Sequence, residues 1–260
     1  MEKEIVHIHQ VVTRLPELRF AEPVEWRICE GEQWAVVGPN GAGKTLLADI
    51  LQRKFAFREG EVCYNKEGKV SDIIRSIAFK DIYSLADCRN SYYQQRWHAT
   101  ESDDVPTVAE TLSAYEGTEN LKEVLHIFGI EDLLPKKLIY LSSGELRKFL
   151  IVRTLLSRPE ILILDNPFIG LDAPSRDLLV DMLGQLSHLH GVQVILLLSN
   201  PADIPDMITH VLPIAGKKCY PPMSREAFLA DTALIQILFP EENWMQTALP
   251  VDPNKQPATH

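Results

Sequence analysis

The hydrophobic positions of this chain follow two different periods. Near the N-terminus, "EIVHIHQVV" alternates apolar and polar residues, as half-buried strands do, and "VEWRI", "GEQWAVVG" and "REGEVCYN" predict further short strands. "TLLADILQRKF" has helical spacing instead. Later, the apolar runs "ILILD" and "VQVILLL" are separated by the helical pattern "SRDLLVDMLGQLSHL". Apolar strands that alternate with helices predict a parallel sheet covered on both faces, and hence an α/β fold.

The pattern changes between about residues 80 and 144. There, polar and aromatic residues ("DCRNSYYQQRWHATESDD") precede helical stretches such as "TVAETLSAYE" and "NLKEVLHIFGI". This predicts a mostly helical lobe inserted into a domain that spans residues 1–220. Residues 221–260 predict an amphipathic C-terminal helix, "SREAFLADTALIQIL", and a tail with the composition of a linker.

Composition narrows the class of protein. The chain has 260 residues, 45% hydrophobic and 24% charged, and a net charge of −10, so it is an ordinary globular chain without a basic run for gripping nucleic acid. Its longest apolar run has the length of a strand, short of the roughly 18 residues that cross a bilayer, and its first residues lack the apolar core of a signal peptide. The four cysteines show no metal-type spacing, which predicts reduced structural thiols in a cytosolic protein: Cys29, Cys63, Cys88 and Cys219.

One glycine-rich turn has the chemistry of a phosphate-binding loop. "GPNGAGKT" fits G-x-x-x-x-G-K-[ST] and lies between a predicted strand and a predicted helix. Backbone N–H groups in such a turn surround phosphate oxygens, the lysine reaches the β/γ-phosphates, and the threonine hydroxyl ligates Mg²⁺. A second apolar strand ends in Asp165, which is placed to complete the metal site. We therefore expect a nucleoside triphosphate with Mg²⁺, bound by the loop residues Gly38, Pro39, Asn40, Gly41, Ala42, Gly43, Lys44 and Thr45.

In their order, "GPNGAGKT", "LSSGELRK" and "ILILDNPFIGLD" resemble an ATP-binding-cassette (ABC) ATPase from about Ile5 to Lys218. "YYQQR", the S-x-G-E-x-R-K form of the second motif and "PFxGLDxxSR" are most similar to one half of the soluble tandem cassettes associated with molybdate transport or photorepair. The resemblance implies a P-loop NTPase fold with a RecA-like core, an antiparallel β-subdomain and an inserted helical lobe. It also implies that two cassettes sandwich two ATP molecules, each held by one phosphate loop and the other cassette's signature.

Carried over position by position, "LSSGE" corresponds to the family signature, L-S-G-G-Q. Ser142 and Gly144, which would meet the partner's γ-phosphate, are retained, whereas Ser143 and Glu145 depart from the pattern. As an isolated motif, the same residues are equally typical of a helix N-cap with a capping acid.

The resemblance assigns three further positions. The Q-loop glutamine, a ligand of Mg²⁺, is Gln95, with the adjacent Gln94 as the alternative. The D-loop, which crosses to the other cassette, is Gly170–Asp172, and Asp172 is its acidic residue. The family's adenine-stacking aromatic has no clean match, since Leu15 falls near the expected place and Phe20 is a weak substitute.

Both hydrolytic residues of the family are replaced here. The glutamate that follows the metal aspartate is Asn166, and the histidine that follows the later strand is Asn200. An amide can orient water but does not accept its proton, and general-base catalysis contributes about 10²–10⁴-fold. Glu160, at the start of the strand, and Asp172, in the D-loop, are not obvious replacement bases. Two replacements at separate motifs favour a naturally degenerate site, while Lys44 and the rest of the cradle should still bind Mg-ATP.

The family geometry separates a cassette's own site from its signature. A degenerate site with a serviceable signature favours a heterologous pair, so the expected partner is a second cassette, either a tandem half or another copy in a homodimer. Two functions stay open: ATP-driven transport or regulation through a partner, and a non-transport ATP-gated module of a soluble tandem protein. A P-loop kinase or GTPase is disfavoured by the signature and D-loop.

A membrane subunit is a second partner to consider. The aromatic residues of "SYYQQRWH" flank the Q-loop, where transporter cassettes receive their partner, although packing within the lobe is the favoured interpretation. These inferences together predict a cytoplasmic protein, either free or peripheral at the inner face of the membrane, with no nucleic-acid partner.

Overall fold

The structure, a computed structural model, describes residues 3–79 and 105–240, which contain two sheets. The strands are β1 (Glu4–Thr13), β2 (Val24–Cys29), β3 (Trp34–Val37), β4 (Phe57–Tyr64), β5 (Ile74–Ala78), β6 (Ile161–Asp165), β7 (Gln193–Leu198), β8 (His210–Ala215), β9 (Lys218–Cys219) and β10 (Met223–Ser224). The α-helices are α1 (Lys44–Leu51), α2 (Val70–Ile73), α3 (Val108–Leu112), α4 (Glu119–Phe128), α5 (Ser143–Leu155), α6 (Ala173–His190), α7 (Arg225–Ala230) and α8 (Thr232–Leu238).

The smaller sheet is antiparallel and half-buried. Its order is β2-β1-β4, and β1 pairs with both neighbours. Val6 and Ile8 of β1 point into the core, whereas His7 and His9 between and after them face outward. The alternation of apolar and polar residues that predicted a strand therefore belongs to a sheet with one face on the core and one face toward solvent.

The larger sheet has the order β10-β8-β3-β7-β6-β5, with β9 paired to β8. The pairs among β8, β3, β7, β6 and β5 are parallel, and β3, β6 and β7 are buried along their whole length. Parallel strands end at the same edge of a sheet, so the segments after Val37, Asp165 and Leu198 emerge side by side. This edge gathers the predicted phosphate loop, the metal strand and the later asparagine.

Each face of the parallel sheet has its own hydrophobic core. Leu162 and Leu164 of β6 pack into the cluster that contains α3 to α6. Ile161 and Ile163 pack on the other face, with α1 and the antiparallel sheet. The sheet is thus covered on both sides, as its uninterrupted apolar strands predict.

Two helices differ in extent from the sequence pattern. The first, predicted over Thr45–Phe55, ends at Leu51, because Arg53 takes a left-handed conformation with φ 53°. The predicted C-terminal helix is two helices, since Asp231 ends α7 and its carboxylate accepts the backbone N–H of Leu234 to begin α8.

The predicted helical segments of residues 80–144 include α3 and α4, but the boundaries of the lobe, and of the 1–220 domain, stay predictions. No helix in the described ranges combines the length and apolar composition needed to cross a membrane.

Candidate nucleotide-binding site

The predicted phosphate loop connects β3 to α1 at the carboxyl edge of the parallel sheet. Its first residue, Gly38, donates its N–H to the carbonyl of Leu198, which ties the loop to β7. A Cβ at Gly38 would lie 1.9 Å from the carbonyl oxygen of Ile214, so a side chain here would push the loop away from β8. The carbonyl of Ala42 accepts the N–H of Lys217 at 2.9 Å, and this fixes the other end of the loop.

Lys44, near the end of the phosphate loop, is buried. Its Nζ donates to the carbonyl oxygens of Gly38 at 2.6 Å and Pro39 at 3.0 Å. Only 5% of the residue is exposed, and the lysine is the first residue of α1. The ammonium group therefore lies at a helix N-terminus, where an anion is favoured.

Thr45 and Asp165 meet as the predicted metal pair. The Thr45 hydroxyl donates to Oδ2 of Asp165 at 2.7 Å, across 120 residues of sequence. Adjacent ligands of Mg²⁺ bound at 2.0–2.1 Å in an octahedron are about 2.9 Å apart, close to the separation of these two oxygens. The donor set, a hydroxyl and a carboxylate at the edge of a phosphate loop, fits Mg²⁺, and both residues would hold it beside the nucleotide.

Asn166 lies between the metal aspartate and the next strand. Its Nδ2 donates to Oδ1 of Asp165 at 2.8 Å, and its backbone N–H donates to the carbonyl of Leu197 at 3.0 Å. The Ser199 hydroxyl lies 3.0 Å from Oδ1 of Asn166 and 2.9 Å from Oδ1 of Asn40, and donates its one proton to either. The carboxamide is thus held in place, at a positive φ of 50° that asparagine tolerates.

Asn200, at the predicted histidine position, has a different partner. Its Oδ1 accepts the N–H of Ala202 at 2.7 Å and caps the short 3₁₀ helix Pro201–Asp203. The side chain after β7 that contacts Asn166 is Ser199, which the motifs did not predict. Because β6 and β7 are parallel neighbours, the residues that follow them lie side by side, and that rule would have identified Ser199.

An arginine joins this turn to the helix after the D-loop. Arg176 of α6 donates from Nη1 to Asp203 at 2.6 Å and from Nη2 to the carbonyl of Ala202 at 3.0 Å. Its guanidinium also lies 5.1 Å from the ring centroid of Phe168. Arg176 belongs to the motif PFxGLDxxSR, but the sequence did not predict these contacts.

The signature segment begins α5 with a complete capping box. The Ser142 hydroxyl accepts the N–H of Glu145, and the Glu145 carboxylate accepts the N–H of Ser142 at 2.8 Å. A hydrogen bond from Lys136 and that from the Ser142 backbone hold the pKa of Glu145 below its usual value. The two interpretations of "LSSGE" are compatible, since the cap leaves the helix N-terminus open at Gly144, where a Cβ would meet no atom within 4 Å.

A buried arginine of α5 contacts the residue that precedes the predicted D-loop. Arg147 donates from Nη2 to the carbonyl of Ile169 at 2.8 Å, and its guanidinium lies 5.1 Å from the centroid of Phe79. Within residues 3–79 and 105–240, its Nε and Nη1 have no hydrogen-bond partner, and burial lowers its pKa. Asp172 caps α6 by accepting the N–H of Ser175. Arg147 is the arginine of the S-x-G-E-x-R-K motif, but its burial was not predicted, because a charged residue in a helix is ordinarily exposed.

The two carboxylates weighed as replacement bases are engaged elsewhere. Glu160 precedes β6 at the end opposite Asp165 and pairs with Lys66 at 2.8 Å. Asp172 is occupied by its cap.

The remaining predicted residues differ in what the structure says of them. Gln95 and its alternative Gln94 lie outside the described residues. Phe20 lies against the phosphate loop: its ring atoms would be 3.4 Å from a Cβ placed on Gly43. Leu15 is half exposed. Of the two residues weighed for the adenine contact, Phe20 is therefore the one in contact with the nucleotide loop.

The comparisons with known proteins decide the family. The model of the ABC transporter family matches residues 21–169. The chain belongs to this family. ABC cassettes bind ATP with Mg²⁺.

Relatives and solved structures agree on the ABC cassette. An uncharacterized ABC transporter ATP-binding protein of Schizosaccharomyces pombe is 30% identical over 81% of this chain and 45% of that protein. The ABC transporter ATP-binding protein ModF of Escherichia coli is 29% identical over 91% of this chain and 48% of ModF. The chain thus spans about half the length of both. The zinc import ATP-binding protein ZnuC of Wigglesworthia glossinidia brevipalpis is 25% identical over 73% of this chain and 72% of ZnuC.

The fold agrees with a solved ABC cassette. CbiO1 of Clostridium perfringens, part of the ABC transporter complex CbiONQ, superposes with a TM-score of 0.72 at 17% identity, over 92% of this chain and 97% of CbiO1. The predicted P-loop NTPase fold is confirmed.

Proposed function

We propose that this ABC cassette is an ATP clamp: it binds Mg-ATP, closes on a second cassette, and hydrolyses the ATP in its own site slowly or not at all. The observation that carries the proposal is the Asn166 carboxamide, which is held between Asp165 and Ser199 at the place where the family has a base. Both of its polar atoms have partners, and neither can take a proton from water at neutral pH. The contacts of Lys44 with the loop carbonyls and of Thr45 with Asp165 support the binding of Mg-ATP.

The partner is proposed to be a cassette with an intact base. In such a pair, Ser142, Ser143, Gly144 and Glu145 of this chain would act on the partner's ATP, while this chain's ATP holds the pair closed. That the chain corresponds to about half of ModF and of the fission-yeast protein supports a two-cassette arrangement. A homodimer is the alternative partner.

The test is single-turnover hydrolysis by the purified chain and by Asn166→Glu, with Asn166→Gln as the matched control. Glutamine has the length of glutamate but no basic oxygen at neutral pH. We expect tight Mg-ATP binding with negligible turnover in the wild type and in Asn166→Gln, and an increase toward the 10²–10⁴-fold range, which is roughly the contribution of a general base, in Asn166→Glu. Brisk wild-type turnover, or equal gains in both variants, would contradict the clamp.

The second candidate function is a non-transport regulatory module of a tandem ABC protein. The match to ModF supports the molybdate-associated class that the motifs resemble. ZnuC, which is named for zinc import, does not, so we propose the class and no particular ligand. Affinity purification of the tagged chain from its source in mild detergent with Mg-ATP separates the two functions. Recovery of a membrane-spanning subunit would support transport, and recovery of a second cassette alone would support the regulatory module.

A further inference from the structure

The outer face of the antiparallel sheet gathers two histidines and a carboxylate. His7 and His9 are two residues apart on β1 and therefore point to the same face, and Glu25 stands beside them on β2. One ligand atom from each of the three lies within 4.8 Å of the other two. Imidazole nitrogens and a carboxylate oxygen are the usual ligands of Zn²⁺ and similar divalent transition metals.

The distances suit a small ion with modest adjustment. Nδ1 of His9 is 3.3 Å from Oε2 of Glu25, and Nε2 of His7 is 2.5 Å from Oε1. Ligand atoms bound at about 2.0–2.2 Å around a tetrahedral ion are about 3.3–3.5 Å apart. The His9 contact already has this length. The His7 contact is a hydrogen bond, and it would lengthen when the ion replaces the shared proton.

A β-bulge holds the carboxylate of Glu25 in place. The register of β1 against β2 shifts between Ile8 and Val11, where Gln10 has a φ of 47°. This turns both the backbone N–H and the side-chain amide of Gln10 toward Oε2 of Glu25, each at 3.0 Å. Gly60 on β4 makes room, because a Cβ there would lie 2.2 Å from the Gln10 carbonyl oxygen. Bulges of this kind re-aim side chains at specific sites.

The charges around the site favour a cation, with one exception. Glu25 supplies the carboxylate of the cluster, and its oxygens already accept hydrogen bonds from His7 and Gln10. Glu4 lies 3.9 Å from Nδ1 of His7, on the side opposite the ligand atom, and can orient the ring as outer carboxylates do. The exception is Arg27, whose Nε is 3.4 Å from Nε2 of His7. Its side chain is 65% exposed, and its Nε also lies 3.9 Å from Oε2 of Glu4.

We propose that His7, His9 and Glu25 form a binding site for one divalent transition-metal ion of the zinc class. The cross-strand partners on β4 share this face: Cys63 is opposite His7, and Glu61 is opposite His9. Neither belongs to the group of ligand atoms within 4.8 Å of one another, so water completes four-coordination unless one of these side chains moves toward the ion. The linear sequence shows no zinc-type spacing because the ligands come from two strands and the bulge brings them together.

The site is tested on the purified, chelator-treated chain without nucleotide, in millimolar Mg²⁺ to saturate oxygen-only sites. Zn²⁺ is titrated by calorimetry, and Co²⁺ by its visible absorption, which reports tetrahedral geometry. We expect one ion per chain and an absorption band of tetrahedral Co²⁺. A thiolate charge-transfer band that disappears in Cys63→Ser would identify the fourth ligand as Cys63; its absence would leave the three-residue site with water or Glu61.

The variants compare this cluster with an ordinary histidine–carboxylate pair. His9→Gln should weaken Zn²⁺ binding by at least about 10-fold, a loss seen even for outer-shell partners. His126→Gln is the matched control, because His126 is exposed and pairs with Glu131 at 3.3 Å, and it should leave binding unchanged. Arg27→Gln should strengthen binding, because it removes a neighbouring positive charge.

Substoichiometric Zn²⁺ uptake by the wild type would overturn the site, as would equal affinities of the wild type and His9→Gln. Circular dichroism and Mg-ATP binding of each variant confirm that the fold and the nucleotide site are intact. Because nucleotide is absent from the metal titration, failure here would leave the ATP-clamp proposal untouched, and the converse holds.

Discussion

At the scale of single residues, the nucleotide site is defined by a few polar contacts with clear chemical limits. Thr45 and Asp165 supply the two oxygens, Asn166 supplies an amide where a base would stand, and Ser199 holds that amide. We therefore expect binding and turnover to be separable, because the atoms proposed to hold the metal are different from the atom that would accept a proton.

Thr45→Val tests the metal half of this arrangement. Valine keeps the shape of threonine but lacks the hydroxyl, and hydrogen-bond-like contacts to charged groups are worth about 1.5–3 kcal/mol. We expect ATP affinity in Mg²⁺ to fall by roughly 10–100-fold, which is that free energy converted to a ratio. In EDTA the affinity should change little, because the phosphate loop itself is intact. A loss of equal size with and without Mg²⁺ would show that Thr45 acts on the loop rather than on the metal.

At the scale of elements, the N-terminus of α5 depends on the charge of Glu145. The pKa of this carboxyl is lowered in the folded protein by Lys136 and Ser142, so its ionised form adds stability above its usual pKa of 4.5, and that stability is lost as the pH falls through the lowered value. Glu145→Gln keeps an acceptor oxygen for the cap but removes the charge.

We therefore expect the free energy of unfolding of Glu145→Gln, measured with urea, to be below that of the wild type at neutral pH. The difference should shrink below about pH 4.5. Ser142→Ala, which removes the other half of the box, should cost about 1 kcal/mol at every pH. A difference between Glu145→Gln and the wild type that does not vary with pH would show that the charge of Glu145 is not what stabilises the helix.

The contact between α5 and Ile169, the residue before the predicted D-loop, gives a second prediction at this scale. Arg147 holds the Ile169 carbonyl from a buried position in which two of its nitrogens lack partners within the described ranges. Replacing a buried charge by an apolar side chain of similar volume is often neutral or stabilising. Arg147→Met should therefore unfold within about 1 kcal/mol of the wild type, yet dimerise less well with Mg-ATP, because Ile169 loses its anchor. Unaltered dimerisation in sedimentation experiments would mean that the anchor is dispensable.

At the scale of the whole molecule, two acidic surfaces must meet if the cassette closes on a copy of itself. Each chain has a net charge of −10, so association should strengthen as the ionic strength rises and screens the repulsion. With Mg-ATP, the wild-type dimer should persist longer than the Asn166→Glu dimer, because hydrolysis in the variant would release the ATP that holds the pair closed. Lys44→Ala should stay monomeric. A wild-type dimer that forms equally well without ATP would contradict ATP-driven closure.

The apolar strands predicted a parallel sheet, and the phosphate-loop motif predicted that Asp165 would complete the metal site, but neither predicted the order of the strands. Apolar strands ending in Val37, Asp165 and Leu198 had to bring their following loops together, and they do. The local sequence pattern did not predict which hydrogen-bond partner an individual side chain has. Asn200 caps the turn that follows it, while its neighbour Ser199 contacts Asn166. Arg147 is buried, although the hydrophobic pattern of its helix did not predict whether this position would be buried or exposed.

The lysine of the phosphate loop has a consequence for affinity. Its ammonium already donates to the carbonyls of Gly38 and Pro39, so an arriving phosphate has to displace at least part of this contact. Nucleotide binding then exchanges the hydrogen-bond partners of the Lys44 ammonium, which is already removed from water. The net binding free energy is the difference between its contacts with phosphate and its contacts with the loop carbonyls.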